Sequence, residues 1–245
     1  SLGAAELEKG KTDIVVARGA ADVVAFAAEE LQTFLSEALG EKVPIVKKPA
    51  EGRTSVILGE NEWSKAAGLD PAKCPRDTYR IRSEKDRVYV LGLDGDGKAV
   101  RSLRKTRDCD LQRGTLFGVY AFLEDCAGVR FYFPGELGTV VPKSDAIRVP
   151  EGEKAVSPAY DIREWYAGNS FCAWFGEEKP SDACERNHNL SWLRLRMGTH
   201  RIPLCHGTDR FKYLARFGES HPEYFALKPN GSRHNDPNAI HPGHF

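Results

Sequence analysis

Two stretches of the chain, residues 20–39 and 114–127, repeat apolar side chains at helical spacing, and a glycine follows each. In the first, Val24, Ala27, Leu31, Phe34 or Leu35, and Ala38 share a face, and Gly40 stops the helix. In the second, Leu116, Val119, Tyr120, Leu123, Cys126 and Ala127 form the stripe, and Gly128 ends it. A helix with one apolar stripe must bury it against another element. The neighbouring segments offer a sheet for that purpose. Residues 13–17, 43–46 and 54–58 read as short strands, with Pro44 marking an edge or a strand start. Residues 61–67 read as a short helical turn. Residues 78–82 and 87–93 alternate around the turn 83–86, which predicts a half-exposed antiparallel hairpin. Strands over 129–133, 139–141 and 146–149 complete the set. The expected fold class is therefore α/β: an α+β two-layer sandwich, a mixed sheet with two main helices on one face.

Residues 150–154, Pro-Glu-Gly-Glu-Lys, read as a linker, because the composition changes after them. All seven histidines lie between His188 and His244, and 13 of the 24 aromatic residues fall after residue 152. The expected domains are 1–152 and 153–245. In the second, residues 160–165 and 202–205 read as strands, with helices over 191–197 and 210–217. Strand, helix, strand is how a parallel (β/α) barrel or a doubly wound sheet opens. After Ser220 the chain reads mostly as loop.

Several function classes are excluded or disfavoured. The formal net charge is zero, so a global positive field for nucleic acid is absent. The basic stretch 98–113 lacks interleaved aromatics and reads as a solvated loop. No apolar run is long enough to span a bilayer. The Asp94-Gly95-Asp96-Gly97 loop lacks the remaining ligands of a calcium loop; its twelfth residue is Lys105. None of Cys74, Cys109, Cys126, Cys172, Cys184 and Cys205 forms a C-x-x-C pair, and the spacing of the last three gives no support to a disulfide among them. Cys184, His188, His200, Cys205 and His206 match no zinc spacing, so no metal or other cofactor is expected. There is no nucleophile elbow and no phosphate-binding glycine pattern.

The stretch from Gly114 to Gly135, GTLFGVYAFLEDCAGVRFYFPG, resembles the N-terminal α/β domain of bacterial α-glucuronidases and β-hexosaminidases. Gly118, Tyr120, Phe122, Leu123, Glu124, Gly128, Val129, Arg130 and Pro134 carry the likeness. Later pieces, WLRLRMG from Trp192, His200, His206-Gly207 and HPEYFAL from His221, are similar to uncharacterised bacterial proteins that couple this domain to a glycosidase-like barrel. The resemblance implies a non-catalytic small domain and a catalytic barrel. It also implies a carbohydrate or glycan as ligand and a secreted or periplasmic protein whose signal peptide is already removed.

Glycoside hydrolysis generally needs two opposed carboxyl groups. Only 93 residues follow position 152, and an eight-fold barrel takes about 250. The chain is thus expected to be a truncated N-terminal portion of a glycoside hydrolase, inactive alone and without the catalytic carboxylates. Asp161, Glu164, Asp209, Glu219 and Glu223 are the local acids weighed. The alternative is a non-catalytic carbohydrate-binding or scaffold protein, complete as it stands. The expected substrate contacts are Arg163, Trp165, Trp192, His206, His221 and Glu223. The indoles offer flat faces, Arg163 a bidentate grip on a carboxylate, and His206 a strand-end position.

Overall fold

The structure, a computed structural model, describes residues 4–95, 111–163, 181–198 and 212–235. The chain divides into two compact units, residues 1–201 and 202–245.

The first unit is built on a six-stranded mixed sheet. In chain order its strands are β2 (Thr12–Val16), β3 (Ile45–Val46), β4 (Thr54–Leu58), β5 (Tyr79–Glu84), β6 (Arg87–Gly92) and β10 (Gly152–Val156), and the spatial order is β10-β5-β6-β4-β2-β3. β2, β3, β4 and β6 are parallel, while β5 and β10 are antiparallel additions. As Pro44 requires, β3 is an edge strand. Two small ribbons pair β1 (Ala5–Glu8) with β9 (Ala146–Val149), and β7 (Arg130–Phe131) with β8 (Thr139–Val140).

Strand alternation sorts the sheet into two faces. Ile14, Val16, Val56, Leu58, Val88 and Val90 point into the main core with both long helices, α1 (Asp22–Leu39) and α3 (Gly114–Asp125). Both helices therefore lie on one face, as their stripes demand. The residues between, Val15, Ile57, Tyr89 and Leu91, face the other side. There Leu69 and Trp63 cover them, Trp63 from the short helix α2 (Glu62–Ala66). Asn61 and Ser64 form a capping box at the start of α2.

Helix α3 sits unusually close to the sheet, and glycines make that possible. A Cβ on Gly118 would lie 2.8 Å from Val90 Cγ1, and one on Gly92 would lie 2.6 Å from the Cα of Gly114. The helix start thus rests directly on the end of β6.

Several expectations change. Residues 150–154, read as a linker, supply most of β10, so the chain stays in the first sheet through Val156. Polar, exposed side chains on an edge strand look like a linker in sequence. The strand expected over 129–133 shortens to Arg130–Phe131, because Pro134 and Gly135 (φ 88°) turn the chain there, and Tyr132 and Phe133 are solvent-exposed. The helix expected at 191–197 begins earlier and runs as α4 (Asp182–Arg194), with the Ser181 side chain capping Cys184 N–H.

The second unit holds a short helix, α5 (Tyr213–Phe217), a 3-10 turn over Pro222–Tyr224, and a bridge between Leu227 and Arg233. Residues 160–163 are irregular. The remaining barrel-strand residues, 164–165 and 202–205, lie outside the described residues.

Candidate functional site

Beyond β10 the chain returns to the α/β layer through three arginines. Arg194, in the last turn of α4, points its Nε at Glu30 Oε2 (3.0 Å) and its Nη2 at Oε1 (3.3 Å). Tyr120 Oη donates to the same carboxylate at 3.1 Å. The guanidinium also lies 5.0 Å from the centre of the Phe34 ring and 5.4 Å from that of Phe131. Its plane and charge suit both roles at once. Arg196 Nη1 reaches Glu124 Oε2 at 2.5 Å. Arg163 Nη2 donates to Asp77 Oδ2 at 2.7 Å, its Nε to the Arg196 carbonyl and its Nη1 to the Tyr160 carbonyl.

A fourth arginine closes the arrangement from the other side. Arg113, wholly buried before α3, donates from Nη2 to the Gly198 carbonyl at 2.6 Å and lies over the Phe117 ring. Nearby, Asp94 accepts from both the backbone N–H and the hydroxyl of Thr115, capping the first turn of α3. Burial pushes the Asp94 carboxyl up to about 7, against the pull of those two hydrogen bonds. Burial also raises the free thiols Cys74 and Cys126, the latter to about 11. Neither is therefore a ready nucleophile. Cys184 is disulfide-bonded, with a partner outside the described residues.

Four of the six expected contact residues lie among the described residues. Arg163 is engaged with the protein's own Asp77, and its side chain is 17% exposed. Trp192 is buried, with its ring beneath Gly198, whose Cβ would stand 3.8 Å from it. His221 and Glu223 belong to the second unit and meet each other: Nδ1 lies 2.9 Å from Oε1. That contact holds the Glu223 carboxyl below its usual range. Trp165 and His206, with the acids Glu164 and Asp209, lie outside the described residues.

An open cleft of about 880 Å³ lies at the turn between β5 and β6, lined by Arg82, Lys85, Arg87, Glu84, Glu151 and Glu153, among others. Two of its carboxylates are held in ion pairs. Glu153 is paired with Arg80 (2.5 Å) and lies within 4.0 Å of Arg82, and Glu84 pairs with Arg82. Among the described residues no cluster of three His, Cys, Asp or Glu could hold a metal, and no helix is long and apolar enough to cross a membrane.

Residues 133–242 match the model of a domain of unknown function, DUF4838. No curated protein matches the sequence. Among solved structures, a GH115 4-O-methyl-α-glucuronidase with specificity for decorated arabinogalactans aligns over 79% of this chain and 25% of its own, at 16% identity and a TM-score of 0.49. A GH20 β-N-acetylhexosaminidase from Streptomyces coelicolor aligns over 66% of this chain and 25% of its own, at 16% identity and 0.36. A GH20 exo-β-N-acetylglucosaminidase from Vibrio harveyi in complex with N-acetylglucosamine aligns over 66% and 18%, at 10% and 0.37. The chain spans about a quarter or less of the length of these enzymes.

Proposed function

We propose that this chain is the N-terminal portion of a secreted bacterial glycan-degrading protein, in which the α/β layer is a non-catalytic platform for the region that follows it. One observation carries the reading. Three arginines from the segment after β10 spend their charge on acids of the α/β layer: Arg163 on Asp77, Arg194 on Glu30 and Arg196 on Glu124. Side chains so used orient one part of the chain on another.

Two further features support it. Of the nine residues that carry the likeness to glycosidase accessory domains, Gly118, Tyr120, Phe122, Leu123 and Val129 are core, the positions a scaffold needs. The disulfide at Cys184 suits an oxidising compartment outside the cytosol. Of the local acids within the described residues, Asp161, Glu219 and Glu223 are exposed, whereas a glycosidase general acid works from an apolar pocket.

The test is a panel of aryl glycosides and glucuronides incubated with the 245-residue chain. No turnover above buffer is expected. Robust turnover that disappears on changing Asp161, Glu219 or Glu223 to the amide would overturn the platform reading.

A further inference from the structure

In the second unit, the His221 imidazole is held from two directions. Its Nδ1 faces Glu223 Oε1 at 2.9 Å. Its ring lies flat on Tyr224, with centroids 4.7 Å apart and planes 7° apart, and Phe217 stands 6.1 Å away. Phe217 also packs edge-on to Tyr224 at 5.6 Å. Facing a carboxylate that accepts, a neutral imidazole carries its proton on Nδ1 and leaves Nε2 as an acceptor. The His221 side chain is 44% exposed, and Tyr224 is 45% exposed.

The geometry points to a carbohydrate subsite made of His221, Glu223 and Tyr224. Nε2 accepts a hydrogen bond from one sugar hydroxyl, the second oxygen of Glu223 accepts from a neighbouring one, and the Tyr224 ring takes a C–H face. Sugars demand that combination: fixed acceptors for hydroxyls beside a flat apolar surface. Other ligand classes fit less well. A metal at Nε2 finds no cluster of further His, Cys, Asp or Glu ligands among the described residues. An anion would meet the Glu223 carboxylate. An imidazole resting free on the surface would need neither a carboxylate partner nor a stacked ring.

This site rests on the glycan reading above and names where the glycan is held. The test uses the 245-residue chain and soluble xylo-, gluco- and galacto-oligosaccharides, with binding followed by amide chemical shifts. Long-range proton–nitrogen spectra report the His221 tautomer. The expected result is the Nδ1–H form, with shift changes centred on residues 221–224 for at least one sugar. His221→Ala and Tyr224→Ala each weaken that binding tenfold or more. Glu223→Gln, which frees the tautomer, weakens it several-fold, and His221→Gln, which keeps an acceptor, less than His221→Ala. The exposed Leu137 serves as a control, and Leu137→Ala leaves binding unchanged. Amide spectra that match the parent away from the site separate lost contacts from lost folding. An Nε2–H tautomer, full affinity in His221→Ala and Tyr224→Ala, or no binding by any sugar would each overturn the subsite. None of these touches the platform reading, which stands or falls on the turnover assay.

Discussion

Replacing Arg194 with methionine removes the charge that holds α4 to α1 while keeping an unbranched apolar stem. The consequence follows from what remains behind. Glu30 keeps the Tyr120 hydroxyl at 3.1 Å but loses both bonds from the guanidinium. The two side chains are only 15% and 11% exposed, so water screens the pair little and rescues the stranded carboxylate poorly. Removing one partner of a buried pair costs about 3–5 kcal/mol. The lost cation–π contacts with Phe34 and Phe131 add roughly 0.5–1 kcal/mol each, and methionine packing on those rings returns a similar amount. The expected loss is about 3–4 kcal/mol. At an m value of about 2 kcal/mol/M the urea midpoint falls by roughly 1.5–2 M.

Trp192 lies two residues before Arg194 on the same helix and is buried, so in a background with Trp63, Trp165 and Trp174 changed to Phe its emission reports release of α4. The mechanism also predicts coupling. Adding Glu30→Gln to Arg194→Met removes the stranded charge, and the double variant is more stable than Arg194→Met alone by about 1–3 kcal/mol. Arg194→Lys keeps the charge but loses the fork and falls between the parent and methionine. A loss below about 1 kcal/mol for Arg194→Met, or a double variant that simply sums the two single losses, would refute the idea that this pair anchors α4.

Other predictions follow from single contacts. Leu123 is fully buried at the centre of the α3 stripe, and Leu123→Ala should cost about 2–5 kcal/mol, read as a urea midpoint; an unchanged midpoint would remove it from the core. Gly118→Ala drives a methyl to 2.8 Å from Val90 and should cost about 1–3 kcal/mol, measured the same way. Asp94 titrates at about 7 when folded against an ordinary 3.8, so between those values the folded chain holds a proton that the unfolded chain lacks. Stability should therefore fall as pH rises from 4 to 7, and Asp94→Asn should flatten that part of the profile. Equal pH slopes in parent and variant would count against it.

Most of the sheet was legible because its residues obey one rule each. Alternation over Tyr79–Glu84 states that one face is buried, the apolar run over Thr54–Leu58 that both are, and the structure keeps both. β10 obeys no such rule. Four of its five residues are exposed, and it exists because β5 offers an unpaired edge. Pairing to an edge depends on a partner, and a partner 70 residues away leaves no local mark.

The candidate site was harder to read, for a related reason. Arginine near aromatic residues looks the same in sequence whether it grips a substrate carboxylate or one of the chain's own. Arg163 and Arg194 both grip their own. The distinguishing signal lay in their partner. Glu30 falls three residues after Ala27 and four before Phe34, on the stripe that α1 buries. A carboxylate on a buried face must find a cation or give up its charge. No basic residue on α1 stands beside it to serve, since the helix contains no Lys or Arg at all. The sequence therefore demanded a basic residue from a distant segment, and that demand selects a structural role for one of the later arginines before any substrate is considered. Asp77 gives no comparable warning. It is buried, with a left-handed backbone (φ 57°), and its partner Arg163 lies 86 residues further along the chain, so nothing local marks the pair.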